Sequence, residues 1–196
     1  ILGVKGFRHL ELQVDQRVLV PRPESELVVD VALDLPPGAR VVDIGTGSGA
    51  IALALKHERP DLDVLATEIS EDAAEVARGN AERLGLDVRV VVGDLMEPVE
   101  GPVDAVVANP PYVRPNDVLQ AEIEWHEPDV ALFGGEDGLD IYRRLVPQVA
   151  ASAAEFVAFE IGQGMGPDVA ALLGECFETE LYPDLAGLER VVVGRR

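Results

Sequence analysis

Apolar residues in this chain alternate between two patterns. Short runs at Val41-Val42-Asp43-Ile44, Val64-Leu65-Ala66-Thr67-Glu68, Val88 to Val92, Val103 to Ala108 and Phe156 to Ile161 predict strands buried on both faces. Between the runs, apolar positions recur at helical spacing over Ala50 to Lys56, Asp72 to Leu84, Gly138 to Ala154 and Gly166 to Phe177. Strands and helices in alternation predict right-handed crossovers and a parallel sheet, so the fold class is α/β. Two further strands, Glu178 to Tyr182 and Arg190 to Val193, flank the turn Pro183-Asp184-Leu185-Ala186-Gly187 and must place one antiparallel strand in that sheet.

Upstream, Phe7 to Val20 reads as a hairpin. Leu10, Leu12 and Val14 alternate with polar residues, and Asp15-Gln16 turns the chain into Val18-Leu19-Val20. Pro23 suits the first turn of a helix from Glu24 to about Leu35, which carries Leu27, Val28, Val31, Ala32 and Leu35 on one face and stops at Pro36-Pro37-Gly38. The division this suggests is a hairpin and linker over residues 1–23 and a main domain over residues 24–196. A long loop, Val113 to about Glu136, contains Trp125-His126-Glu127-Pro128; a loop of that length inside a compact domain predicts a functional or lid segment.

Composition narrows the class. A chain of 196 residues that is 47% hydrophobic suits one substantial globular domain. Sixteen Lys and Arg against 36 Asp and Glu leave a net charge of −20, which repels phosphate backbones and disfavours a general nucleic-acid binder. The basic pairs Arg143-Arg144 and Arg195-Arg196 do not offset it. Neither a transmembrane run nor a leader pattern is present, so the expectation is a cytoplasmic monomer with no membrane partner. The single Cys176 excludes an internal disulfide and, in an apolar helical context, is expected to be a small buried core residue. His9, His57 and His126 are scattered without ligand spacing, so no metal is expected.

The chemistry concentrates where the strands end. Asn109-Pro110-Pro111-Tyr112 closes the run Val103 to Ala108. Two prolines cannot donate to a sheet ladder and fix a stiff, extended corner at the carboxyl edge of the strand, the edge at which open α/β sheets bind ligands. A carboxamide, prolyl carbonyls and an aromatic ring together suit a flat group bearing NH2: Asn109 and Pro110 accept its hydrogens and Tyr112 packs on its plane. Gly45-Thr46-Gly47-Ser48-Gly49, after the strand ending in Asp43-Ile44, is a tight strand-to-helix turn able to approach a ligand closely. Its spacing is Gly-x-Gly-x-Gly, which differs from the dinucleotide fingerprint. Glu68, ending the second strand, can hold both hydroxyls of a ribose. Asp94, ending the third, can accept from an adenine amino group with Leu95 beneath the ring.

This constellation resembles the S-adenosylmethionine-dependent methyltransferases of the seven-stranded, Rossmann-like class I fold, in which Asn/Asp-Pro-Pro-aromatic marks methylation of an NH2 on a planar system. Val18 to Glu26 and Glu127 to Asp140, together with Phe159-Glu160-Ile161-Gly162 and Gly187 to Val192, are similar to segments of the HemK-type protein-glutamine methyltransferases that modify translation release factors. The resemblance runs from Ile1-Leu2-Gly3 to the last strand. Ser25 stands where that family usually has Thr, and Glu68 where it frequently has Asp. The family carries a small helical domain ahead of the hairpin, which is expected to be absent from this chain.

The resemblance implies a seven-stranded sheet, S-adenosylmethionine as cofactor, peptide-chain release factors as partners, and methyl transfer to the glutamine amide of their Gly-Gly-Gln tripeptide. It carries over Gly45, Thr46, Gly47, Ser48, Gly49, Glu68, Asp94, Leu95 and Asn109 as cofactor contacts. Asn109, Pro110, Pro111 and Tyr112 become the substrate contacts, with Asn109, Pro110 and Tyr112 catalytic. Arg22, Glu160 and Trp125 sit near the motifs without an assigned role. Three other readings stand beside it: a glutamine methyltransferase of a ribosomal protein, a nucleic-acid amino methyltransferase acting on a flipped base, and a non-catalytic nucleotide-binding module. The charge of −20 weighs against the nucleic-acid enzyme, and the Asn-Pro-Pro-Tyr corner is without purpose in the binding module.

Overall fold

A computed structural model describes residues 3–117 and 127–196; the expectations for Ile1, Leu2, Trp125 and His126 fall outside these residues. The chain begins with a two-stranded hairpin, β1 (Val4–Phe7) and β2 (Leu10–Gln13), and a 3-10 turn at Pro23–Ser25 leads into α1 (Glu26–Ala32). Alternation follows: β3 (Arg40–Ile44), α2 (Ala50–Glu58), β4 (Asp63–Glu68), α3 (Glu71–Leu84), β5 (Arg89–Val92) and β6 (Ala105–Ala108). A single turn α4 (Asp129–Leu132) precedes α5 (Asp140–Ala151), β7 (Phe156–Glu160), α6 (Gly166–Leu173), β8 (Glu178–Pro183) and β9 (Glu189–Arg195).

Seven strands form one sheet in the order β5-β4-β3-β6-β7-β9-β8. Pairings from β5 through β7 are parallel, whereas β9 runs antiparallel to both β7 and β8. The α/β fold with seven strands and one antiparallel strand is therefore the observed one. Alternate strand residues face opposite helical layers. Val41, Val64, Ala66, Ala105 and Val107 pack with α1, α2 and α3; Val42, Ile44, Leu65, Val106 and Ala108 pack with α5 and α6. Covering both faces is what lets these strands be continuous apolar runs. The strand order reverses between β3 and β6, and there Ile44 pairs with Ala108, so Gly45 and Asn109 emerge side by side.

The hairpin differs from the one the sequence predicts. Leu10 to Gln13 is a strand, but its partner is Val4–Phe7, and Val18-Leu19-Val20 belongs to no strand. The two-residue turn is Arg8-His9, with Arg8 in the left-handed region at φ 49°. Arginine seldom turns a hairpin. Here its guanidinium is held by Asp30 on α1 and Glu58 on α2, and its backbone N–H donates to the Glu26 carboxylate at 3.1 Å. Phe7, Leu10 and Leu12 join the α1–α3 core, and Asn80 on α3 ties Gln13 to the glycine turn by donating to the carbonyls of Gln13 and Ser48.

Three helix ends shift for local reasons. Pro23–Ser25 winds as a 3-10 turn ahead of α1, which stops at Ala32 rather than near Leu35. Helix α5 starts two residues later than predicted because Gly138, at φ 79°, still belongs to the preceding turn. Helix α6 ends at Leu173, so Cys176 lies in a turn and is exposed, correcting the buried core position expected of it. Phe177 fills that core position instead. Among the described residues no helix is long and apolar enough to cross a membrane, and no group of His, Cys, Asp and Glu has the arrangement of a metal site.

Candidate active site

The carboxyl edge of the sheet opens into two pockets separated by one stretch of chain. The larger, about 240 Å³, is lined by Gly45, Gly47, Glu68, Asp94, Leu95 and Asn109. The second, about 200 Å³, is lined by Asn109, Pro110, Pro111 and Tyr112 together with Arg22 and Glu160. Asn109, Pro110 and Pro111 border both. The turn after β3 has Gly45, Gly47 and Gly49 at φ 68°, 56° and 86°, a run of left-handed residues open only to glycine at low cost. The amides of Gly45 and Thr46 donate to the Thr67 carbonyl, docking the turn on β4. Thr46 and Ser48 face a small side cavity of about 50 Å³ with Ser25. Gly49 borders none of these pockets; it caps α2, and a Cβ there would sit 2.9 Å from Leu53.

Glu68 is buried at the end of β4 and stabilises the turn. Its carboxylate accepts from Gly47 N at 2.9 Å and from Ser70 N at 3.0 Å, leaving acceptor capacity toward the pocket. Asp94 is committed to an ion pair with Arg144 of α5, and Leu95 holds a left-handed φ of 51° beside it. A non-glycine residue in that region is a strained conformation of the kind that clusters at ligand sites. Ile69, Val130 and Phe133 also line the larger pocket and are 52%, 53% and 39% exposed. Large apolar side chains left open around a cavity, facing a carboxylate and backbone amides, fit an adenosine-bearing ligand. Sequence reasoning missed all three. An apolar residue directly after the Glu68 carboxylate was a readable signal for Ile69, whereas Val130 and Phe133 arrive from a distant loop.

That loop closes on the Asn-Pro-Pro-Tyr corner. Val113 N donates to the Leu132 carbonyl at 2.8 Å and Gly134 N to the Val113 carbonyl at 2.9 Å. The fit is tight: a Cβ on Gly138 would meet the Tyr112 carbonyl at 2.4 Å. Arg22 and Glu127, which both line the second pocket, form an ion pair at 2.6 Å that joins the segment before α1 to the segment before α4. Burial pushes the Glu127 carboxyl above its ordinary value, and Arg22 offsets only part of that rise.

Beneath the corner lies Glu160, the last residue of β7 and 2% exposed. Tyr112 Oη donates to its Oε1 at 3.4 Å, and Tyr142 Oη donates to its backbone carbonyl at 2.6 Å. Burial drives the Glu160 carboxyl up to about 7, the Ser25 hydroxyl and Tyr112 pull it down, and nearby Glu24 adds to the rise. Burial together with Glu160 also raises the Tyr112 phenol. Asn109 Nδ2 donates to Ser25 Oγ at 3.0 Å, so its Oδ1 is the free end of the carboxamide.

Asp43, at the base of the glycine turn, is 1% exposed; it accepts from Thr46 Oγ1 at 2.6 Å and Ala52 N at 3.2 Å, and its Oδ1 has no partner. Burial raises this carboxyl to about 7 despite both hydrogen bonds, with the charge of Glu68 adding to the rise. The unfolded chain releases the same proton near the ordinary value of 3.8. Between those values the folded state holds a proton that the unfolded state lacks, so stability falls as pH rises through that window. Asp43→Asn, which keeps an acceptor for Thr46, should flatten the fall in calorimetric midpoint between about pH 4 and 7. An undiminished fall in that variant would assign the effect elsewhere.

Comparison with known proteins agrees with this geometry. The family described as "Methyltransferase small domain" matches residues 24–125. The release factor glutamine methyltransferase of Gloeobacter violaceus is 44% identical over 208 residues, covering 98% of this chain and 72% of that protein. The enzyme of the same name from Deinococcus radiodurans is 43% identical, covering 100% and 73%. Among solved structures, the release factor-specific protein-(glutamine-N5) methyltransferase of Alicyclobacillus acidocaldarius superposes with a TM-score of 0.56 at 28% identity, covering 90% of this chain and 94% of that one. Fold, corner motif and sequence agree along nearly the whole length, and the chain belongs to the release factor glutamine methyltransferase family of S-adenosylmethionine-dependent enzymes.

Proposed function

We propose that this protein methylates the side-chain amide nitrogen of the glutamine in the Gly-Gly-Gln tripeptide of peptide-chain release factors. The observation that carries the reading is the pair of pockets sharing Asn109, Pro110 and Pro111 as their common wall. One pocket has the carboxylate, glycine turn and apolar rim that suit S-adenosylmethionine; the other is lined by Asn109, the two prolines and the Tyr112 ring, which suits an amide. The bound cofactor supplies an electrophilic methyl group on a sulfonium.

An amide nitrogen is a weak nucleophile because its lone pair is delocalised into the carbonyl. The chain's residues therefore act chiefly by position. Asn109 Oδ1 and the Pro110 carbonyl accept the two N–H hydrogens of the substrate amide and favour the positive charge that develops on nitrogen. Tyr112 packs on the amide plane and turns the lone pair toward the methyl group. With both hydrogens held, neither acceptor needs to remove a proton before transfer; the nitrogen–methyl bond would form as the methyl–sulfonium bond breaks to leave a neutral thioether, and one of the two held protons would then leave the methylated nitrogen.

The same reading takes the protein as a cytoplasmic monomer acting on protein rather than nucleic acid, which the net charge of −20 favours. Incubation with cofactor labelled in its methyl group, a release factor and its Gln→Ala variant is the direct test. Label should enter the first protein and spare the second. Label in both would sink the assignment to that glutamine.

A further inference from the structure

We propose that Arg144 of α5 is a positioning residue for recognition of the cofactor's base: it holds one oxygen of Asp94 so that the other faces the larger pocket as the acceptor for an adenine amino group. The inference rests on the reading of that pocket as the S-adenosylmethionine site and deepens it.

A carboxylate selects a 6-amino purine when an unshared oxygen stands where the amino group arrives. If the side chain rotates freely, ordering it on binding subtracts from the affinity. Adenine offers a donor at that edge, whereas hypoxanthine offers a carbonyl oxygen, which an oriented carboxylate repels. Specificity for the base therefore depends on what fixes the Asp94 side chain.

The backbone of the loop is fixed without Arg144. Gly93 N donates to the Glu68 carbonyl at 2.9 Å, Glu97 N to the Asp94 carbonyl at 3.0 Å and Val99 N to the Met96 carbonyl at 3.0 Å. From α5, Gln148 Oε1 accepts from Met96 N at 3.1 Å. Gly93 leaves no room for a side chain, since a Cβ there would sit 2.7 Å from Pro98. Leu95, in its left-handed conformation, is thus held between two anchored neighbours. These bonds leave the rotation of the Asp94 side chain open.

Arg144 closes it. Its Nη2 pairs with Asp94 Oδ2, and among the described residues Oδ1 has no partner. Helix geometry explains how α5 holds both the loop and the acid: Ile141, Arg144 and Gln148 stand at i, i+3 and i+7, one stripe along the helix. Ile141 and Arg144 border the larger pocket with Asp94 and Leu95. The ion pair is partly exposed on both sides, and a pair of that kind adds little to stability. At the pocket wall, the same pair selects one rotamer of the acid that the base has to meet.

Calorimetric titration with S-adenosylhomocysteine and with S-inosylhomocysteine, which carries a 6-oxo group instead, reads the base preference without any methyl transfer. The parent should bind the adenine compound about thirtyfold or more tightly than the hypoxanthine one. Arg144→Ala should cut that ratio about fivefold, chiefly by weakening the adenine compound. Arg144→Lys keeps a cation for a pair that runs through a single nitrogen, and should return the ratio to within about twofold of the parent. In an Asp94→Ala background the ratio should fall near unity, and Arg144→Ala should change it no further, because the carboxylate that it orients is gone.

An unchanged ratio in Arg144→Ala would overturn the inference, whether the two affinities hold or fall together; an equal fall marks a contact that only braces the fold. A parent preference that survives Asp94→Ala would overturn it as well, since the acid would not be reading the base. Failure of the underlying readings has a different signature. A parent that binds neither compound rejects the pocket as a cofactor site and the inference with it. A parent that shows the whole expected series yet fails to methylate release factors keeps the positioning role and rejects only the substrate.

Discussion

Asn109→Ala is expected to lower methyl transfer to a release-factor glutamine by about 10²-fold or more, the loss typical of one preorganised polar contact in a closed site. The fold should survive, because Pro110 and Pro111 hold the corner by their fixed φ and Val113 remains bonded to Leu132. Cofactor affinity should change modestly, since Glu68 and the glycine turn are untouched. The structure sharpens the companion variant Asn109→Asp. Its carboxylate still accepts from the substrate but cannot donate to Ser25 Oγ as Nδ2 does. It would also place a second acid at the same pocket as Glu160, whose carboxyl burial already pushes up to about 7. Activity between that of the parent and that of Asn109→Ala is therefore expected. Single-turnover assays with saturating cofactor measure the step directly, and transfer by Asn109→Ala at near the parent rate would refute the proposed mechanism.

Glu68→Ala should weaken S-adenosylmethionine binding by between tenfold and a hundredfold, from loss of charge-assisted hydrogen bonds worth ~1.5–3 kcal/mol. The geometry adds a second route to the same loss. Glu68 is the acceptor for Gly47 N and Ser70 N, so truncating it also releases the glycine turn and the start of α3. Glu68→Gln separates the two: it retains an acceptor for one amide but removes the charge, so it should recover turn stability more than affinity. Calorimetric titration with cofactor, paired with thermal midpoints, reads both quantities. An unchanged dissociation constant in Glu68→Ala would remove Glu68 from the cofactor site.

Much of the architecture was legible because burial on both faces leaves a strand no polar position to alternate with. The runs around Val41, Val64, Val103 and Phe156 read as strands for that reason, and each begins or ends within about two residues of prediction. Strand-end residues were legible too: parallel crossovers return every strand to the same edge, so Gly45, Glu68, Asp94 and Asn109 had to gather there. The hairpin was misread because a turn at Arg8-His9 depends on Asp30 and Glu58, far away in sequence. Local turn chemistry favoured Asp15-Gln16 instead. Cys176 was misread because its helix ends early at Leu173 and hands the buried position to Phe177.

The sequence by itself determined the α/β class, the carboxyl edge as the place of chemistry, and the rigid Asn-Pro-Pro-Tyr corner, because each follows from period, proline geometry and strand direction. Tertiary structure alone decided which groups stand behind that corner. Ser25, Asn109 and Glu160 come from three separate segments, and no local pattern states that a hydroxyl ahead of α1 will lie against a carboxamide after β6. The apolar rim from Ile69, Val130 and Phe133 is likewise a product of packing. Hydrogen-bond direction and pocket shape depend on distances of a few ångströms between residues far apart in the chain, and only the packed sheet sets those distances.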